Sequence, residues 1–172
     1  MNTTQAGDIA VRSILIMADG ERSDFDAVIH PDARNREDVV GPAAGRVRGP
    51  AAFYATARWL RAAFEGLSYD IEHVIADGNF VAVNSTMKGR QVGEFVTYAA
   101  DGAVDTVFPP TGRVFAATQS HWFRIADGMV IDHWANRDDL GQAKQLGWVP
   151  PTPAYLFRMA RAKSHAKRLA VL

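Results

Sequence analysis

Two histidines, His121 and His133, lie in the segment from Ala116 to Asp139, close in sequence to three carboxylates, Asp132, Asp138 and Asp139. Imidazoles exchange protons near neutral pH, and carboxylates do so when their surroundings shift them. Together they suit enolisation or aldol chemistry. Such a reaction needs a base to remove a proton beside a carbonyl and an acid to protect the oxyanion. His121 sits between Ser120 and Trp122, which predicts an enclosed ring; a hydrogen-bonded core histidine is the plainer alternative. Asp138 and Asp139 precede Leu140-Gly141-Gln142, so either also suits a helix cap. A metal set of His121, His133 and one aspartate lacks a supporting His-x-x-x-His or Glu-x-x-His spacing, and no metal is expected.

What places these groups is a hairpin. Ala126-Asp127-Gly128 separates two apolar runs, and Asp-Gly is a strong turn signal. A three-residue loop pairs Ile125 with Met129, His121 with His133 and Gln119 with Ala135. The opposite face then carries Ser120, Trp122, Arg124, Asp132 and Trp134, and Asp132 points away from His121. A two-residue loop would shift the pairing by one and set His121 opposite Trp134. The three-residue register is the expectation.

The 172 residues suffice for one domain with a sizeable core, and 48% apolar with 22% charged residues is ordinary for a globular protein. There is no cysteine, which removes disulfides, thiolate zinc sites and cysteine nucleophiles and fits a reducing, cytoplasmic setting. The first residues lack signal-peptide character, and no apolar run is long enough to span a membrane. All 19 acidic side chains lie within residues 1–139, while the tail from residue 140 carries only basic ones: Lys144, Arg158, Arg161, Lys163, Lys167 and Arg168. An acidic body argues against nucleic acid as a partner. The basic face beside Tyr155, Leu156, Met159 and Leu169 reads as docking on that body or across a dimer; no membrane partner is expected.

Along the chain, Thr3 or Thr4 caps a helix ending at Gly20, and Ser23 or Asp24 caps a second through Val28. His30–Arg36 is extended or turning, and 41–49 is loop with room for a short strand at Arg46-Val47-Arg48. A third helix starts at Pro50, carries Phe53, Ala57, Leu60 and Phe64 on one face, and stops at Gly66. The period becomes two from Tyr69, giving strands at 69–76, 80–87 and 90–98. A loop or hairpin tip covers 99–110, the His121 hairpin follows, and short and long helices occupy 140–146 and 154–170. Helices, then antiparallel strands, then helix make an α+β fold. A curved sheet with helices on one face leaves an apolar cone suited to small ligands.

The chain resembles the SnoaL-like polyketide cyclases of the nuclear-transport-factor-2-like superfamily. The residues that carry the resemblance are His30-Pro31-Asp32, Gly49-Pro50, Trp59, Phe64, Asp77-Gly78 and Gly89-Arg90-Gln91-Val92-Gly93. Pro109-Pro110-Thr111-Gly112, His121 with Asp127-Gly128, and Asp138 ahead of Gln145-Leu146-Gly147 complete the pattern. The resemblance spans residues 8–151 and implies a cone with its N-terminal helices over the concave face of a curved antiparallel sheet. Residues 152–172 then form a C-terminal helical extension, and a homodimer covers the outer sheet face.

It also implies ring closure in a polyketide methyl ester by an intramolecular aldol step, with no cofactor. In the family an aspartate on the last strand acts with a histidine across the hairpin. His121 falls on the histidine, but the aspartate position falls on Ala135. His121 is therefore the expected acid/base, with Asp138 first and His133 second as its assistant. Trp59, Phe64, Asn35, Arg36, Gln119, Phe123 and Ala135 are the expected substrate contacts; Trp122 is a further flat apolar surface. A non-catalytic pocket that binds or carries a small hydrophobic ligand is the alternative that Ala135 favours; a hydroxylase or epoxide hydrolase on this scaffold is a third.

Overall fold

The computed structural model describes residues 3–169. Helix α1 (Thr3–Asp19) buries Ala6, Gly7, Ala10, Ser13, Ile14 and Ile16 along one stripe, and both candidate caps, Thr3 and Thr4, lie inside it. Gly20 ends the helix. The Arg61 guanidinium then takes the freed carbonyls of Ile16, Met17 and Gly20 at 2.6, 2.9 and 3.0 Å. Helix α2 (Arg22–Val28) starts one residue before Ser23: Glu21 is its cap residue, and Asp24 reaches back from inside to accept the Glu21 amide at 2.9 Å.

Strand β1 (Ile29–Asn35) follows, and helix α3 (Pro50–Ala63) comes after two short 3₁₀ turns, with no strand at 46–48. Gly49 makes the junction. Its φ is 85°, its amide donates to Ala33 O at 2.9 Å, and a Cβ there would lie 2.4 Å from Pro31 O. The third helix stops at Ala63 rather than Gly66. Phe64 is already extended and buried in strand β2 (Phe64–Asp77), and Gly66, at φ 61°, sits where that strand's pairing slips.

Strand β3 (Phe80–Gln91) turns back along β2, and strands β6 (Val114–Ala126) and β7 (Met129–Arg137) complete the large sheet in the order β1-β7-β6-β3-β2. Four strands are antiparallel as expected, but β1 joins the edge parallel to β7. An edge position tolerates Pro31, which has no amide to donate. The expected strand over 90–98 is broken at Gly93, where a Cβ would lie 2.0 Å from Ala62 O. Its start belongs to β3, and its end, β4 (Phe95–Tyr98), pairs with β5 (Val104–Phe108) in a separate hairpin. Helix α4 (Asp139–Leu146) closes one end of the cone. Helix α5 (Pro153–Leu169) rests on β5, burying Ala162 with Val104 and Val107.

The His121 hairpin departs from the expected register. Ala126 pairs with Met129, so the loop has two residues, Asp127 at φ 50° and Gly128 at φ 74°, as a mirror-image turn requires. The pairing then slips between Ile125–Val130 and Arg124–Asp132, adding a second residue of offset. His121 thus faces Ala135, Gln119 faces Arg137 and Phe123 faces His133. Because the two offsets together preserve parity, Gln119, His121, His133 and Ala135 keep a common face.

The sheet's inner residues Val81, Val83, Phe123, Ile125 and Val130 meet Ala10, Ile14, Phe25, Phe53 and Ala57 of the helices. Each large side chain so buried contributes about 2 kcal/mol. A second cluster joins Phe64, Leu67, Met87, Phe115, Leu146, Trp148 and Tyr155. Trp122 belongs to neither. It stacks on Trp134 (6.5 Å, 11°) beside Phe80 on the opposite face of the sheet, which corrects its expected place in the pocket.

Candidate functional site

Between these clusters lies a cavity of about 320 Å³, within the range of small-ligand sites. Helix α1 contributes Ile14 and Met17, α3 contributes Phe53, Trp59 and Leu60, and the sheet contributes Phe64, Tyr69 and Met87. Its outer wall is aromatic: Phe95 and Phe108 from the small hairpin and Trp148 beyond α4. Trp148 stacks on Phe108 at 4.3 Å and on Phe95 at 5.4 Å. Trp59 adds its ring 4.7 Å from Phe95 and ties the hairpin down through an indole bond to Val96 O of 2.8 Å. Burial drives the Tyr69 phenol far above its ordinary range, so it enters the cavity as a neutral hydroxyl.

The polar floor is one continuous chain. Asn35 Oδ1 meets His133 Nδ1 at 2.9 Å, His133 Nε2 meets His121 Nδ1 at 3.0 Å, and His121 Nε2 meets Gln119 at 2.9 Å. Asn35 Oδ1 also accepts the Glu37 amide at 3.2 Å, which fixes it as an acceptor. His133 therefore donates from Nδ1, and His121 donates from Nδ1 to His133 Nε2. With neutral rings, His121 Nε2 is left as an acceptor. In the structure Gln119 turns Oε1 to the ring and donates from Nε2 to Met87 Sδ at 3.2 Å; a half turn of its amide, at the expense of that sulfur contact, would present the NH₂ to the neutral ring.

With Gln119 Oε1 left facing the ring, three protons would have to be shared by two rings, and one would become an imidazolium. Desolvation decides against that charge in the free protein. Burial, with Arg137 adding repulsion, pushes His121 down to about 4, and burial, His121 and Arg137 hold His133 well below its ordinary value. The resting pair is neutral.

At the edge of the sheet a carboxylate lines the cavity. Asn35 pairs with His133 in the parallel ladder, and Arg36 continues it by donating to His133 O at 2.9 Å. The next rung is made by a side chain: Glu37 Oε1 accepts the Ala135 amide at 2.9 Å, while Oε2 pairs with Arg137 at 3.1 Å. Arg137 reaches Asp139 as well, at 3.3 Å, and all three line the cavity.

The structure thus brings His121, His133, Asn35, Gln119, Phe123, Trp59 and Phe64 to one cavity. Three expected contacts are placed elsewhere. Asp138 caps α4, its Oδ1 accepting the Gly141 amide at 2.8 Å, and its neighbour Asp139 lines the cavity instead. Arg36 lies on the sheet's outer side, ion-paired with Asp132 and 4.5 Å over the Trp134 ring. Ala135 stands opposite His121, but its methyl is not part of the lining. Glu37, Arg137, Phe95, Phe108 and Trp148 line the cavity without having been singled out. Only the alternation of His133, Ala135 and Arg137 on one strand face could have flagged one of them, Arg137. Among the described residues no three His, Cys, Asp or Glu side chains converge as a metal site, and no helix is long and apolar enough to cross a membrane.

A curved, unclosed sheet with helices over its inner face and a ligand-sized hollow between defines an α+β cone of the nuclear-transport-factor-2-like kind. Within that class the chain belongs to the SnoaL-like polyketide cyclase family, whose sequence model matches residues 10–146. It is 38% identical over 109 residues to the aklanonic acid methyl ester cyclase DnrD of Streptomyces peucetius, a match covering 62% of this chain and 68% of that one. It is 34% identical over 129 residues to the nogalonic acid methyl ester cyclase of Streptomyces nogalater, covering 74% of this chain and 87% of the relative. The solved structure of TsrD from Streptomyces laurentii shares the fold, with a TM-score of 0.68 at 24% identity over 86% of this chain and 98% of TsrD.

Proposed function

We propose that the protein is a cofactor-independent acid/base enzyme that closes a ring in, or isomerises, a hydrophobic polyketide-type carbonyl compound. The substrate class is that named for its relatives, the methyl esters of aklanonic and nogalonic acid. The observation that supports this most is the histidine chain inside an aromatic-walled cavity. An apolar site strengthens every polar contact made within it. Negative charge developing on a substrate oxygen supplies the partner that burial otherwise denies an imidazolium. His121 Nε2 then holds a proton toward that oxygen where Gln119 now stands. Flat rings at Trp59, Phe95, Phe108 and Trp148 suit a polycyclic substrate.

Residues 1–151 are taken as the catalytic unit and 152–172 as an extension, and Phe80, Trp122 and Trp134 as the centre of a homodimer contact. The test of function is turnover of both methyl esters by wild type and His121→Ala. Loss of turnover with melting temperature held within a few degrees supports the proposal. Retained turnover with lowered melting temperature makes His121 a core residue and overturns it. A ligand that co-purifies in native mass spectrometry, with no product from either ester, favours a carrier.

A further inference from the structure

Both nitrogens of His121 are engaged, by His133 and Gln119, and burial leaves the ring little affinity for a proton at neutral pH. The free cavity therefore needs another group to take a proton from carbon. Two carboxylates line it. Asp139 is 68% exposed and lies in the first turn of α4, whereas the Glu37 side chain is 18% exposed and reaches in from beyond β1. Glu37 Oε1 is bound to the amide of Ala135, the residue opposite His121, so the carboxylate lines the cavity at the sheet edge beside the rung that His121 shares. A carboxylate offers about four lone-pair positions, and the Ala135 amide and Arg137 take only two.

Resting on the acid/base reading above, we infer that Glu37 is the catalytic base of this site. Its carboxylate takes the proton from the acidic carbon between two carbonyls, and the C–H electron pair becomes that of an enolate. The enolate carbon forms the new C–C bond at a ketone carbon of the same molecule, and the ketone's π pair moves onto oxygen. That alkoxide, which the His121 Nε2 proton faces as Gln119 gives way, takes its own proton back from Glu37. The substrate keeps its composition, and nothing is oxidised or reduced. Arg137 holds the carboxylate in place.

Glu37→Gln tests this directly, because its amide oxygen still accepts the Ala135 N–H while it can no longer take a proton. The expected result is a fall in kcat of roughly 100-fold or more with KM for the methyl ester little changed. The double variant Glu37→Ala/Ala135→Asp puts a carboxylate on β7 opposite His121, at the residue whose amide Glu37 binds, and is expected to recover at least about tenfold over Glu37→Ala. Turnover by Glu37→Gln within a few-fold of wild type overturns the assignment, as does a folded double variant no faster than Glu37→Ala. If Glu37→Gln melts well below wild type, the double variant decides. A wild type inert toward both esters overturns the cyclase reading and this assignment with it. An active wild type with an equally active Glu37→Gln overturns only the assignment.

Discussion

His133 Nε2 lies 3.0 Å from His121 Nδ1 although the strands pair His121 with Ala135 and His133 with Phe123. The two rings are diagonal neighbours, stacked at 5.3 Å and 20°. A bulge in the hairpin produces this offset, and it leaves the position opposite His121 to a methyl group. The amide of that residue is bound by the Glu37 side chain, from the turn after β1.

Acid stability follows from the neutrality of this pair. The unfolded chain protonates both histidines near 6.5, while the folded chain resists doing so until His121 reaches about 4 and His133 well below its ordinary value. The sign is therefore that of depressed histidines: stability is full above about 6.5 and is lost as pH falls toward 4. His121 alone accounts for on the order of 3 kcal/mol of that loss. Urea midpoints measured at pH 7.5 and pH 5 are expected to separate more in wild type than in His121→Ala. Equal separations would show that the pair takes up protons freely when folded.

The far end of the chain controls the same equilibrium. Asn35 Oδ1 accepts from His133 Nδ1 as a neutral amide oxygen. Asn35→Asp puts a carboxylate there, and an opposite charge at hydrogen-bond distance favours the imidazolium. The His133 titration, followed by imidazole NMR, is expected to move up by at least about one unit. The acid-side loss of stability should shrink in step. A titration that stays in place would mean that Asn35 does not face the ring.

Much of the cone was legible because its signals are local. Pro50 with Phe53 and Ala57 marks a helix face, Asp77-Gly78 and Asp127-Gly128 mark turns, and the period of two from Tyr69 marks a strand. Parity survived the mistaken hairpin register, so Gln119, His121 and His133 were grouped correctly. The bulge itself was invisible, because nothing in Val130-Ile131-Asp132 distinguishes an extra residue from a paired one. Glu37 was missed for a related reason. Its place depends on β1 running parallel to β7, a pairing of segments nearly a hundred residues apart that no periodicity encodes. Asp138 and Asp139 read alike in sequence, and only the geometry of α4 makes one a cap and the other a cavity residue.

The aromatic wall depends on one buried amide. Gln91 is fully buried, and its Oε1 accepts from the Trp148 indole at 3.0 Å and from the Thr111 hydroxyl at 3.0 Å. Its Nε2 donates to Phe108 O at 3.0 Å. These bonds join the end of β3, the end of β5 and the segment after α4 at the point where Trp148 stacks on Phe108. Gln91→Leu fits the volume but leaves the indole N–H and the Phe108 carbonyl without partners in a buried place, at a cost of about 2–4 kcal/mol. The expected result is a urea midpoint lowered accordingly and a changed Trp148 fluorescence. On the proposed cyclase reading, in which the wall holds the substrate's rings, KM for the methyl esters is expected to rise more than kcat falls. A variant with unchanged stability and KM would show that stacking alone keeps Trp148 in place.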